Sequence, residues 1–293
     1  RGITLYFYIN DNAVIIGRNQ NAWRECNIDR MRIDGVQLVR RHTGGGAVYH
    51  DRGNLNFSFI TDEHNYDVAR QTFVISNACA MLGLETEVSG RNDILVEGRK
   101  FSGNAYAVWG RARGHHGTVL INTDMSRLSN YLNVSKQKLK AKGVASVSSR
   151  VCNLAEFGDI TVDAMREAII KSFITEYGGE GTHLKLDPEC EEIAALYDKQ
   201  ASWEWSLGMA PKFDFGIEHR FSFGEVQLLL TIKGGCVSEA KVYTDALYTP
   251  LAGEFAALLK GAKFDKENIA ARLYQGGSEA HEVAEYIINE VEL

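Results

Sequence analysis

Three glycines in succession, Gly44-Gly45-Gly46, stand inside the run Arg40-Arg41-His42-Thr43-Gly44-Gly45-Gly46-Ala47-Val48-Tyr49-His50-Asp51. Each gives up side-chain packing and adds backbone entropy to be lost on folding, so a triplet between strands marks a place where backbone meets something closely. The text around it, at residues 3–16, 36–40 and 55–60, is rich in β-branched and aromatic residues and broken by Asn, Asp and Gly, which reads as strands. Exposed N–H groups of such a loop form an anion-binding concavity. Arg41 would add a charge-assisted clamp on phosphate or carboxylate. The competing reading is an ordinary glycine-rich loop with surface arginines. Neither G-x-G-x-x-G nor a Gly-Lys-Ser or Gly-Lys-Thr ending is present, so the two common nucleotide-binding templates do not apply.

An anion site raises the question of what carries the anion. Lys and Arg number 32 against 38 Asp and Glu, a net charge of −6, which argues against a surface built for a nucleic-acid backbone. With 45% apolar and 24% charged residues over 293 positions, the composition is that of a folded globular protein. No apolar run approaches the ~20 residues that cross a bilayer, and the opening lacks a signal peptide's order, so no membrane association is expected. Five scattered cysteines without a C-x-x-C pair fit reduced thiols and a cytoplasmic address. The chain opens without Met inside a strand-like run, and upstream text is expected to be missing.

Residues 67–82 place Val74, Ala78, Met81 and Leu82 at helical spacing and stop at Gly83. Thr161 is a plausible N-cap for a helix carrying Met165, Ile169 and Phe173, ended by Gly178-Gly179. Residues 189–198 read as a short acidic helix, and residues 119–122 as a strand. Beyond Ala201, strands are expected at 221–223, 226–232 and 237–243, joined by turns at Gly224 and Lys233-Gly234-Gly235, with two amphipathic helices closing the chain. That outlines a small α+β domain from residue 201.

A hairpin with Glu97-Gly98 as its turn would bring Asn92-Asp93 and Lys100 to one site from neighbouring strands. Lys100 can neutralise charge growing on a phosphorus centre, and Asp93 can hold that lysine or share a magnesium ion with phosphate oxygens. A solvated ion pair is the alternative. Ser102-Gly103, being small, leaves room beside Lys100. In His115-His116 on a strand, only one ring can face the site, which disfavours a two-histidine metal centre. Lys136, Lys138, Lys140 and Lys142 form a solvated helix face, a loop closing over a nucleotide, or a dock for an acidic partner.

From about Leu5 to Leu154 the chain resembles the lipoate-protein ligase A family. The resemblance rests on Val14-Ile15-Ile16-Gly17-Arg18 with Gln20-Asn21, the glycine run through Asp51, Gly90-Arg91-Asn92-Asp93, Arg99-Lys100 with Ser102-Gly103, His115-His116-Gly117, Ala141-Lys142-Gly143 and Ser149-Arg150-Val151. It continues more weakly through Gln200-Ala201-Ser202-Trp203-Glu204-Trp205. The resemblance implies an α+β fold: a biotin/lipoate ligase-like catalytic domain over 1–200, with mixed β-sheets flanked by helices, and a small accessory domain over 201–293. It also implies a two-step reaction in which lipoate and MgATP give lipoyl-AMP, and the lipoyl group passes to one lysine of an acceptor. The implied acceptors are the lipoyl domains of 2-oxoacid dehydrogenase complexes and the glycine-cleavage H protein; a monomer is expected.

By the same resemblance, Lys100 touches both the carboxylate oxygen and the α-phosphate, and Asn92 and Asp93 orient it or hold the metal. Thr43, Gly44 to Gly46, Val48 and Asn54 line the lipoyl and adenylate positions, His116 supports the pocket, and Lys142-Gly143 folds over the adenylate. The rival reading is an octanoyl or lipoyl transferase without ATP, which would need a nucleophilic Cys152 or Cys79. Their settings, on an apolar helix face and beside Val151 without a paired base, read as structural thiols.

Overall fold

The computed structural model describes residues 2–90, 92–132, 151–187, 190–210, 212–246 and 250–293. They fall into two compact units, one of Arg1–Arg18 with Asp34–Ala194, the other of Asn19–Ile33 with Ala195–Leu293. The first contains β1 (Thr4–Tyr8), β2 (Ala13–Ile16), β3 (Gln37–Arg40), β4 (Val48–His50), β5 (Asn54–Asp62), β6 (Thr86–Ser89), β7 (Asp93–Val96), β8 (Arg99–Trp109) and β9 (Ala112–Leu120). A six-stranded antiparallel sheet runs β1-β5-β9-β8-β7-β6, and a three-stranded sheet runs β3-β2-β4.

Strand alternation divides the large sheet into two chemically different faces. Leu55, Phe57, Phe59 and Val119 pack with Val74, Ala78 and Cys79 of the helix Val68–Met81 and Met165 and Ile169 of the helix Val162–Tyr177. Asp67 caps the first helix through Arg70 N at 3.0 Å, and Thr161 caps the second through Ala164 N at 3.1 Å. Met81, expected among the apolar contacts, is 41% exposed because it lies in the last turn, where the helix leaves the sheet. The other face presents Asn54, Asn56, Ser58, His116, Thr118, Gly103 and Asp93 in cross-strand register. This polar face carries Asn54, Asp93, Gly103 and His116, four of the residues singled out in the sequence.

The strand expected at 119–122 begins at Ala112 and ends at Leu120. Its glycines conceal it, yet one of them is a packing requirement: a Cβ at Gly117 would lie 2.6 Å from the Phe57 ring.

The second unit holds β10 (Phe213–Phe221), β11 (Gly224–Lys233) and β12 (Cys236–Thr244), consecutive and antiparallel. Its first strand precedes the expected 221–223. The alternation Phe213, Phe215, Ile217 is diluted by Asp214, Gly216 and Glu218 on the solvent face. Three helices close the chain where two were expected: Leu251–Leu259, Lys266–Leu273 and Ser278–Glu290. The extra break comes from Gly261, at φ +82°, and from Asp265, which caps Asn268 N at 2.7 Å. Asn19–Ile33 joins this unit through Trp23 edge-on to Phe264 at 5.0 Å and Asp29 paired with Lys266 at 2.8 Å.

Candidate active site

The Glu97-Gly98 turn has φ +47° and +71°, the left-handed pair that a two-residue hairpin requires. It sets β7 against β8 with Asp93 opposite Gly103 and Leu95 opposite Lys100, the register shifting after Ile94. Lys100 Nζ thereby reaches Asp93 Oδ1 at 2.6 Å, each side chain 34% exposed. A Cβ at Gly103 would lie 3.0 Å from that Nζ and 3.1 Å from Cε, so the lysine lies across a position that glycine suits. Ser102 is fully buried beside it. Gly103 N donates to Thr118 Oγ1 at 3.3 Å, and Thr118 sits two residues along β9 from His116, on the same face.

His116 connects this centre to the glycine loop. Its Nε2 is 2.7 Å from the hydroxyl of the buried Thr43. Burial, with Arg41 adding to it, pushes His116 down to about 4, so the ring is neutral near pH 7. Thr43 O accepts from Arg18 N at 2.9 Å, and the fully buried Arg40 donates to Gly17 O and Arg18 O at 3.2 and 2.9 Å. The loop is therefore tied both to the large sheet and to the small one.

Arg41 differs from the expected anion clamp. Its Nε and one terminal nitrogen donate to Gly44 O at 3.1 and 2.7 Å, the same nitrogen to Gly46 O at 2.8 Å, and the other to Ile15 O at 3.1 Å. The guanidinium gathers the carbonyls of Gly44 and Gly46 and staples the loop. Gly45, at φ +99°, adopts a conformation that L side chains rarely take, and a Cβ there would meet Arg41 at 2.6 Å. A second close approach supports it, since a Cβ at Gly17 would lie 2.1 Å from Gly45 O.

Asn92 is also placed differently from the expectation that it orients Lys100. Its amide donates to Asn104 O at 3.2 Å, and its own carbonyl accepts from Asn104 N at 2.8 Å. Asp93 alone of that pair meets the lysine. Asn54 is fully buried, donates to Asn56 Oδ1 at 3.1 Å, and leaves its Oδ1 without a partner. Val48 is half-buried at the start of β4, opposite Ile15 of β2. Lys142 and Gly143, with the rest of the basic run 136–142, lie outside the described residues.

Sequence reasoning passed over Tyr8 and Asn104. Tyr8 stands opposite Asn56 in register, stacks with Tyr6 at 5.5 Å between centroids, and has its phenol raised by burial. The alternation Tyr6-Phe7-Tyr8 was the signal for it. Asn104 carried none, because its importance depends on which strand it meets.

The two cysteines that a transferase would need are buried. Burial pushes Cys79 up to about 12 and Cys152 up to about 11, and both remain thiols. Among the described residues no cluster of three or more His, Cys, Asp or Glu could hold a metal by itself. A magnesium ion bound with a nucleotide asks for less: one carboxylate plus phosphate oxygens and water suffices, and Asp93 offers that carboxylate. No helix among the described residues is long and apolar enough to cross a membrane.

Residues 1–174 match the family model of the lipoyl protein ligase A/B catalytic domain, and residues 210–288 match that of the bacterial lipoate protein ligase C-terminus. A lipoate-protein ligase A from Psychrobacter cryohalolentis is 39% identical over 307 residues, covering 99% of this chain and 90% of the relative. A bi-partite lipoate protein ligase from Thermoplasma acidophilum, solved in a study of it and its E2 lipoyl domain, is 33% identical with a TM-score of 0.65, over 73% of this chain and 87% of its own. A lipoate-protein ligase A solved with ATP bound is 31% identical with a TM-score of 0.62, over 71% and 87%.

Proposed function

The chain belongs to the lipoyl protein ligase A/B family, and from that premise we propose that it activates lipoate with ATP and transfers the lipoyl group to a lysine of an acceptor protein. The observation that carries this reading is the Lys100 ammonium, laid across Gly103 and held at 2.6 Å by Asp93 on the polar sheet face. Joining a carboxylate to the α-phosphorus of ATP brings two anions together, and a fixed cation is the group that lowers that barrier.

In the first step a lipoate carboxylate oxygen forms the new bond to the α-phosphorus while the bond to pyrophosphate breaks, giving lipoyl-AMP. Lys100 stabilises the oxygens on both sides of that bond. Thr43 and the loop of Gly44, Gly45 and Gly46 lie beside it, with Val48 and Asn54 as further lining. Arg41 contributes by holding the loop's carbonyls away from the anions, which leaves its N–H groups to face them. In the second step the acceptor amine attacks the acyl carbon, AMP leaves, and Asp93 or a phosphate oxygen takes the proton. Lys142-Gly143 would exclude water from the anhydride. Magnesium bound by Asp93 and the nucleotide would supply further charge neutralisation.

The acceptors proposed are lipoyl domains of 2-oxoacid dehydrogenase acyltransferase subunits and the glycine-cleavage H protein, met in the cytoplasm by a monomer. The first unit carries the chemistry, and the second is accessory. Cysteine-based acyl transfer finds no support in the two thiols it would require, both of which are buried and protonated. Lipoate-dependent exchange of pyrophosphate into ATP tests the reading directly. The parental chain should catalyse it, and Lys100→Ala should lose about 10²–10³-fold in rate. Undiminished exchange by the variant would remove Lys100 from the mechanism.

A further inference from the structure

His115 points away from the ligand face, is fully buried, and yet has both ring nitrogens within hydrogen-bond distance of a side chain. Nε2 is 2.9 Å from Asn104 Oδ1, and Nδ1 is 3.0 Å from Gln71 Oε1 as placed. Burial drives this ring down to about 3, with His116 adding to the effect, so it carries one proton and can donate once. The Asn104 amide nitrogen is committed to Asn92 O at 3.1 Å and Ser102 Oγ at 3.4 Å, which fixes its oxygen toward the ring. The proton must therefore sit on Nε2. Nδ1 is then an acceptor, so Gln71 must turn its NH₂ toward it. Turned the other way, that nitrogen is buried without a partner. Amide orientation is assigned from such networks, and this one has a single consistent solution.

The network continues to Asn92, immediately before β7. Asn104 and Asn92 are joined by three hydrogen bonds: Asn104 N and Nδ2 to Asn92 O at 2.8 and 3.1 Å, and Asn92 Nδ2 to Asn104 O at 3.2 Å. Asp93 follows Asn92 directly. Two positions further on, the β7–β8 register shifts, so the regular ladder does not fix Asp93 against Lys100 from that side. We propose that Asn104, locked in one orientation by its hydrogen bonds to His115, Ser102 and Asn92, is a positioning residue that holds Asp93 against Lys100. A buried chain thus runs from the helix Val68–Met81 through β9 and β8 to the catalytic lysine's partner. The inference rests on the proposed adenylation chemistry.

The test is a double-mutant cycle on lipoate-dependent pyrophosphate exchange with the full chain. His115→Phe removes the donor to Asn104 and should lower kcat about ten- to hundredfold with KM for lipoate and ATP little changed. His115→Gln, which retains an N–H donor, should recover most of that loss. In an Asp93→Asn background, His115→Phe should cost almost nothing more, since both changes break the same link. Gln71→Leu, a milder change remote from the ligand face, should repeat the pattern with a smaller loss and serves if His115→Phe does not fold. Additive losses in the cycle, or a fall in KM terms alone, would overturn the positioning role. Absent exchange in the parental chain would instead remove the function on which it rests.

Discussion

The two units each contain an antiparallel sheet with one face packed against helices, and they treat the opposite face in contrary ways. In the second unit that face is wet: Asp214, Glu218, Arg220 and Lys241 are exposed, and Arg220 reaches Asp245 at 3.5 Å in solvent. Such pairs contribute roughly 0–1 kcal/mol and carry no chemistry. In the first unit the corresponding face buries Asn54 and Asn56 and half-buries His116, and Asn54 Oδ1 is left without a hydrogen-bond partner. Burying polar groups without complete pairing is unfavourable unless something else meets them. Incomplete satisfaction, rather than the number of charges, distinguishes the face to which the chemistry is assigned.

Acid should separate the units most strongly. Burial lowers His50 to about 4, His115 to about 3 and His116 to about 4, all in the first unit, whereas His219 and His281 of the second are exposed. Folded pKa values below the unfolded value of about 6.5 mean that the unfolded chain binds more protons between that pH and the folded values. Stability is then fully present above pH ~6.5 and falls as pH drops, by on the order of 2 kcal/mol per buried histidine between pH 6.5 and 5. Hydrogen exchange at pH 7 and pH 5 should show protection lost first from β5 and β9. Equal loss in β10–β12 would remove the contrast.

A single methyl group tests the glycine loop. Gly17→Ala places a Cβ 2.1 Å from Gly45 O, a backbone atom that cannot rotate away. The loop that Arg41 staples must shift, and exchange activity should fall about 10²-fold, the scale of a 1 Å displacement in a catalytic constellation. Activity retained within twofold would mean that the loop does not need its observed shape.

How much of this was legible depends on whether the signal was local. Thr161 as a cap, the Glu97-Gly98 turn, and the opposite facing of His115 and His116 follow from neighbours in the chain, and the structure has each of them. That Asp93 and Lys100 lie on neighbouring strands and can face one site also followed from the turn, whereas the register shift after Ile94 that lies between them has no signal in the sequence. Arg41 was misread because a guanidinium beside glycines suits an external anion and the loop's own carbonyls equally well. β10 was displaced because half its residues face water, and Asn104 was invisible because its partners come from its own strand, from β9 and from the residue before β7. Hydrogen bonds across more than one element have no sequence period.

A smaller effect bears on the rival chemistry. Cys152 is buried with its thiol toward Arg99 O at 3.5 Å, and its protonated state follows from burial. Cys152→Ala removes one sulfur from a packed core and should cost about 1 kcal/mol in urea unfolding. Exchange and transfer should both be retained. A loss of transfer with folding intact would revive an acyl-cysteine intermediate and break the assignment of chemistry to the polar sheet face.

The smallest change returns to glycine, now in the second unit. Gly253 lies in the first turn of the helix Leu251–Leu259, exposed, and an added Cβ would meet nothing within 4 Å. Alanine there restricts the unfolded chain and favours the helix without displacing a neighbour, so Gly253→Ala should stabilise by about 0.5 kcal/mol with activity unchanged. The same methyl that displaces the loop at Gly17 is thus accommodated at Gly253. The two outcomes differ in sign because one glycine is required by an approaching carbonyl and the other is only permitted by an open helix surface. Destabilisation at Gly253, read from the same urea midpoint, would show that open space beside a glycine does not predict tolerance in this protein.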